Sequence, residues 1–225
     1  MHEFRIFGPD HLAALLVLAV LGAAIIRAGR QGSPRVRAWI GRLLAAVLIG
    51  SAAANYARLA HQGGFSWEYS LPLELCHWVL AACAAALILR RQLAAEIAYF
   101  WGLGGTLQAV LTPDLPLAFP SWDFVLFYWA HGSILLAIAY LIAVRGFRPR
   151  PGSIVRMMAA ANFYLVFVGG LDLAFGWNYG YLMRPPAQPS LLDWLGPWPW
   201  YIVSLEFVAL AIFWILSLPW KVRGI

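Results

Sequence analysis

Seven apolar runs dominate the chain, and each is long enough to cross the roughly 17–25 residues' worth of hydrocarbon that a membrane helix must span. They cover Asp10–Ala28, Arg37–Leu59, Leu71–Leu89, Leu93–Leu111, Trp122–Val144, Ser153–Phe175 and Trp198–Leu218. In the fourth run, Glu96 and a glycine cluster at Gly102–Gly105 interrupt the apolar pattern. The whole chain is 62% hydrophobic and 12% charged, about half the charged fraction of soluble domains. The connections are too short for a separate soluble domain, so the expectation is an all-α polytopic membrane protein: one domain, residues 1–225, with seven transmembrane helices. The N-terminus "MHEFRIFGPDH" has acids and no clear basic segment before its apolar run. It does not resemble a cleaved signal peptide, and the first helix is expected to be retained.

The formal net charge is +6, which by itself would suit nucleic acid. Its distribution argues otherwise. Arg27, Arg30, Arg35, Arg37, Arg42, Arg90, Arg91, Arg145, Arg148, Arg150, Arg156, Lys221 and Arg223 flank alternate connections, whereas Arg5, Arg58 and Arg184 lie on the other side. Such a bias in short loops sets membrane orientation. It places the N-terminus outside and the C-terminus in the cytoplasm, predicts contact with membrane lipids, and gives no reason to expect nucleic acid. The localisation expected is a bacterial cytoplasmic membrane.

With that orientation, every histidine and every acid except Glu96 falls on the outer side or in the outer half of a helix. Ionisable groups inside a membrane are costly and usually face a cavity or the bundle interior. Rises of about 1.5 Å per residue bring Cys76, His131 and Glu206 to similar depths, with Asn55, Gln108 and Asp172 near them. A polar chamber opening toward the outer leaflet is therefore expected.

A thiol becomes a nucleophile beside a base or a positive charge. Cys76 is the candidate nucleophile in "SLPLELCHWVLAAC". His77 is adjacent in sequence, but neighbouring side chains on a regular helix diverge, so His131 is the better base. Glu206 or Asp172 would orient an imidazole. Glu74 and His77, three residues apart, can pair on one face. Gln108, Asn55 or Tyr201 would donate to an oxyanion. Plain packing is the alternative for Cys76, and a hydrogen bond to a neighbouring helix is the alternative for His131. Cys83 is expected to pack. Two histidines, a cysteine and carboxylates can bind zinc, but neither HxxxH nor CxxC spacing occurs, so no metal and no other cofactor is expected. Gly102, Thr106, Gly169 and Gly170 are expected to let helices approach closely. "DWLGPWPWY" at 193–201 suits an interfacial aromatic anchor. In the preceding "FGWNYGYLMRPP", Asn178 and Arg184 are placed to meet a lipid phosphate.

Five pieces carry a family resemblance: "LPLELCHW" at 71–78, the end of the fourth run through "TPD" at 112–114, "WAHG" at 129–132, the Asn-Tyr pair at 178–179 and "GPWPWY" at 196–201. Their order, more than any single piece, resembles the YwaF-type family of bacterial integral membrane proteins over nearly the whole chain. That family looks related to a eukaryotic transmembrane acyltransferase that remodels ether phospholipids. It is more distantly similar to androgen-induced-type membrane hydrolases, which use a threonine nucleophile and a histidine on a later helix. The resemblance implies that Cys76 takes the nucleophile's place and His131 the histidine's; it does not carry over the acceptor. The function expected is acyl transfer from, or hydrolysis of, a lipid-like acyl substrate. The alternative is a non-catalytic lipid or small-molecule binder, or a transporter. No protein partner is indicated.

Overall fold

The structure, a computed structural model, describes residues 2–186 and 190–221; Arg223, one of the basic flanking residues, lies outside them. Among the described residues there are eight α-helices: α1 (Pro9–Gln31), α2 (Pro34–His61), α3 (Leu75–Leu89), α4 (Gln92–Trp101), α5 (Leu107–Leu111), α6 (Trp122–Ala143), α7 (Ser153–Phe175) and α8 (Trp200–Lys221). A π-helical turn, Gly102–Thr106, joins α4 to α5. Five helices are long and apolar enough to cross a membrane: α1, α2, α6, α7 and α8 as far as Trp220. At 15 residues, α3 is shorter. The fourth apolar run is helical from Gln92 to Leu111 but changes pitch in the middle.

Local chemistry explains these boundaries. Proline stands at the start of α1 and of α2, where its missing N–H costs nothing. Ser33 and Ser121 cap α2 and α6 by accepting from Val36 N–H and Phe124 N–H. Gly152 and Gly176 bracket α7 in left-handed conformations that a side chain would strain. The third run differs from expectation: Ser70 to Glu74 form a turn around Pro72, and the helix starts only at Leu75. In the π turn, a side chain at Gly102 would collide with Ile138 of α6. The close packing expected at Gly102 is therefore present. At Gly170, by contrast, the space is open.

The core lies between α2, α3, α4, α6 and α7. Leu48, Val79, Cys83, Phe100, Ile134, Ile138, Met157 and Val168 are all essentially inaccessible there. At one end of the bundle the N-terminal segment lies along the α5–α6 connection, with Phe4 N–H donating to Pro116 O and Ala118 N–H to His2 O. His11 accepts from Phe7 N–H at Nδ1, so its Nε2–H donates to Val110 O. The hydroxyl of Tyr179 joins the α7–α8 connection to the α2–α3 connection, donating to Trp67 O and accepting from Leu71 N–H. The opposite end is tied by Glu96, whose buried carboxylate accepts from both Arg150 and Arg156 at 2.9–3.2 Å.

Candidate functional site

α3 begins one residue before Cys76, so Cys76 and His77 occupy its first turn, directly after the Glu74 N-cap. Backbone N–H groups of a first turn have no partner inside the helix. Position in this turn also brings two adjacent side chains to one opening. Cys76 and His77 both line a cavity of about 490 Å³ between α2, α3, α6 and the loop after α5, and His131 lines it from α6. The divergence expected of neighbouring helical residues does not keep His77 out. Its Nδ1 is buried and has no hydrogen-bond partner.

His131 is held by its own helix. Its Nδ1 lies 3.0 Å from the carbonyl oxygen of Phe127, and the ring stacks on Phe127 with centroids 4.1 Å apart and planes 19° apart. A carbonyl only accepts, so Nδ1 carries the proton and Nε2 bears the lone pair in the neutral ring. No hydrogen bond joins the Cys76 sulfur to either imidazole among the described residues; the three groups share one cavity without being in contact by that measure.

The cavity lining mixes polar and apolar side chains. Asn55, Arg58, Asp114 and Asp123 form the polar part, with Arg58 Nη1 bonded to Asp123 Oδ1 at 2.6 Å. Ala52, Leu80, Leu126, Phe127, Ala130 and Ile134 form the apolar part. Of the expected oxyanion donors, only Asn55 is in this lining. Arg58, Asp114 and Asp123 were not among the expected site residues. Their signal lay in spacing: Ser51, Asn55 and Arg58 fall at i, i+4 and i+7 on α2, and Asp123, Phe127 and His131 at i, i+4 and i+8 on α6, which places each set on one helix face.

The other expected residues go elsewhere. Glu74 does not hydrogen-bond His77; its Oε2 accepts from Gly180 N–H at 2.9 Å. Asp172 is fully buried, accepts from Tyr179 N–H at 3.1 Å through Oδ1, and leaves Oδ2 without a partner. Tyr201 is buried and donates its hydroxyl to Tyr181 O. Asn178 does not present its amide outward: it accepts from Met183 N–H and Arg184 N–H and donates to Arg184 O. These four residues brace the 176–184 loop against α3 and α8. Gln108 bonds Thr112 on the exposed side of α5. Glu206 of α8 accepts from Asn162 of α7 at 2.9 Å. Neither Gln108 nor Glu206 lines the cavity, so neither sits beside His131.

Tyr181 lies in the braced loop and does not line the cavity. Burial, followed by the nearby charges of Glu74, Asp114 and Cys76, pushes its phenol up to about 12. It therefore stays a neutral hydroxyl. Trp194, Trp198 and Trp200 expose their rings beside this loop, as an interfacial aromatic anchor requires.

The chain belongs to the TMEM164 family, whose family profile matches residues 6–217. That span takes in every residue lining the cavity. Searches of curated proteins and of solved structures find no match.

Proposed function

We propose that this member of the TMEM164 family is an enzyme of the bacterial cytoplasmic membrane that transfers or hydrolyses the acyl group of a lipid ester, with Cys76 as nucleophile and His131 as base. It crosses the membrane seven times, the short α3 and the pitch-changing α4–α5 run included. The N-terminus is outside and the C-terminus in the cytoplasm, so the cavity opens toward the outer leaflet. One observation carries the activity: Cys76, His77 and His131 line a single cavity of about 490 Å³ whose lining holds both polar and apolar side chains. That volume falls in the range of small-molecule sites, and the mixed lining suits an ester that carries an acyl chain. The resemblance to an ether-phospholipid acyltransferase points to the same chemistry.

In the first half-reaction the Cys76 thiol gives its proton to Nε2 of His131 as sulfur attacks the ester carbonyl carbon. His77 N–H and Trp78 N–H donate to Glu74 O, so the oxyanion is met by the Cys76 N–H at the start of α3 and by the Asn55 amide. Collapse breaks the ester C–O bond. The departing alkoxide takes the proton from His131, leaving a thioester on Cys76. In the second half, His131 removes a proton from water or an acceptor hydroxyl, which attacks the thioester. The thiolate then leaves and recovers its proton. His77 lines the same cavity and positions the reacting groups. Sulfur and Nε2 close to hydrogen-bonding distance when substrate binds, a tightening common between free and occupied sites.

The test is turnover of a phospholipid bearing a fluorescent acyl chain by purified protein in mixed micelles. Nucleophile and base act as a unit, so their losses are strongly non-additive. Cys76→Ala and His131→Ala should each abolish release of the acyl product, and the double variant should be little worse than either. His77→Ala should weaken turnover less. Full turnover by well-folded Cys76→Ala would remove covalent catalysis by this thiol.

A further inference from the structure

Three arginines meet at the end of the bundle away from the cavity, where α1, α2 and α6 converge. Arg30 of α1 donates from Nε to Ala143 O of α6 at 3.1 Å. Arg37 of α2 donates from Nε to Gly29 O at 3.1 Å and to Gly32 O at 3.2 Å. Arg30 thereby ties α1 to α6, and Arg37 is pinned across the α1–α2 turn. Arg145, just beyond α6, is held differently. Its Cζ lies 5.7 Å from the centroid of the Tyr140 ring, and Tyr140 in turn donates its hydroxyl to Arg37 O. Gly41 of α2 stands against both groups: a Cβ there would come within 2.5 Å of Arg145 Nη2 and 3.7 Å of the Tyr140 ring. The guanidinium thus occupies a slot along the ring that the bare glycine leaves open. Its Nε is buried without a partner among the described residues.

A guanidinium with a buried, unpaired N–H is costly unless an anion answers it. No carboxylate among the described residues pairs with it. Glu96 is the one acid of ten that is not in the other half of the molecule, and both its oxygens are taken by Arg150 and Arg156. Around the slot, Arg27, Arg35 and Arg42 add positive charge without a carboxylate among them. The slot lies at the ends of three apolar helices, which is the level of lipid head groups. Arginine's planar fork suits phosphate oxygens, and basic pockets between membrane helices at this level bind lipid phosphates.

We propose that Arg145, flanked by Arg30 and Arg37, holds the phosphate of an anionic phospholipid in the leaflet at this end of the bundle. The ring of Tyr140 and the bare face of Gly41 keep the guanidinium in place, and the excess of arginine selects a lipid of net negative charge over a zwitterionic one. This site is independent of the Cys76 cavity.

Native mass spectrometry of the full-length protein, released from micelles containing equal amounts of phosphatidylglycerol and phosphatidylcholine with the same chains, tests it. The unaltered protein should retain phosphatidylglycerol about tenfold more than phosphatidylcholine, and Arg145→Gln should remove that preference, in keeping with loss of a charge-assisted pair. Arg30→Gln, which leaves the slot intact, should reduce the preference in part and serves if Arg145→Gln folds poorly. Equal retention of the two lipids by the unaltered protein would overturn the proposal. So would an unchanged preference in Arg30→Gln and in folded Arg145→Gln. Displacement of phosphatidylglycerol by inorganic phosphate would assign the slot to the free anion and contradict the lipid.

Discussion

His131 donates its Nδ1–H to the carbonyl oxygen of Phe127 one turn earlier, at 3.0 Å. The bond fixes the tautomer, and stacking on the Phe127 ring fixes the plane. Nε2 is left as the basic nitrogen. An imidazole oriented by a backbone carbonyl needs no carboxylate partner, which accounts for the distance of Glu206 and Asp172 from this cavity.

Reactivity should separate the two cysteines. Cys76 lines the cavity, whereas Cys83 is inaccessible within the core. A lipophilic maleimide should label Cys76 at least about tenfold faster, since thiol reactivity follows access and thiolate fraction. His131→Ala should slow labelling of Cys76. Equal labelling of both cysteines, unaffected by the histidine change, would make Cys76 a packing thiol.

Much of the bundle was legible because hydrophobic run length is a strong signal in membrane proteins. Runs one, two, five, six and seven appear as helices within a few residues of their expected limits. The third run misled by four residues: an apolar stretch with Pro72 reads as continuous helix, yet the turn is set by contacts from Tyr164, Tyr179 and Gly180 to Leu73, Leu71 and Glu74, all distant in sequence. That shift decides the site, for it puts Cys76 in a first turn and lets His77 share its cavity. Depth along the helix axis groups Cys76 with His131, and both line one cavity. Depth says nothing about which face a side chain occupies, and Gln108 and Glu206, at similar depth, do not line it. The stripe Ser51–Asn55–Arg58 was visible in the sequence, but Arg58 had been counted only as a flanking charge.

Glu96 should be a stability residue. Its side chain is fully buried, while Arg150 and Arg156 are 48% and 35% exposed at their side chains. Breaking a buried pair from the carboxylate side is strongly destabilising, and partial exposure of the arginines moderates the loss. Glu96→Gln should lower stability by about 2–4 kcal/mol, read as a fall in thermal midpoint in detergent, with turnover per folded molecule retained. An unchanged midpoint would show that the network contributes nothing measurable.

Gly180 should be intolerant of a side chain. Its φ is +63°, and a Cβ there would stand 2.5 Å from the Tyr164 hydroxyl, which donates to Leu73 O. Gly176, with φ +73°, faces open space and isolates the backbone contribution, about 1–2 kcal/mol for a left-handed residue. Gly180→Ala should therefore lower the thermal midpoint more than Gly176→Ala and speed hydrogen exchange in the 70–76 segment. Identical effects of the two substitutions would mean that the loop does not brace the start of α3.

Orientation is open to a direct check. A reporter fused after Ile225 should be active only in the cytoplasm, because thirteen of the sixteen basic residues lie on the connections assigned there. Activity outside the membrane would reverse the bundle and turn the Cys76 cavity toward the inner leaflet.

The central claim is a covalent acyl intermediate on Cys76. Intact-protein mass spectrometry after brief exposure to a phospholipid donor, followed by peptide mapping, measures it. The account predicts an adduct with the mass of one acyl chain on the peptide carrying Cys76. It should be released by hydroxylamine, absent from Cys76→Ala and strongly reduced in His131→Ala. Turnover of the donor with no acyl adduct on Cys76 under any quench, or an adduct that persists undiminished in Cys76→Ala, would contradict it.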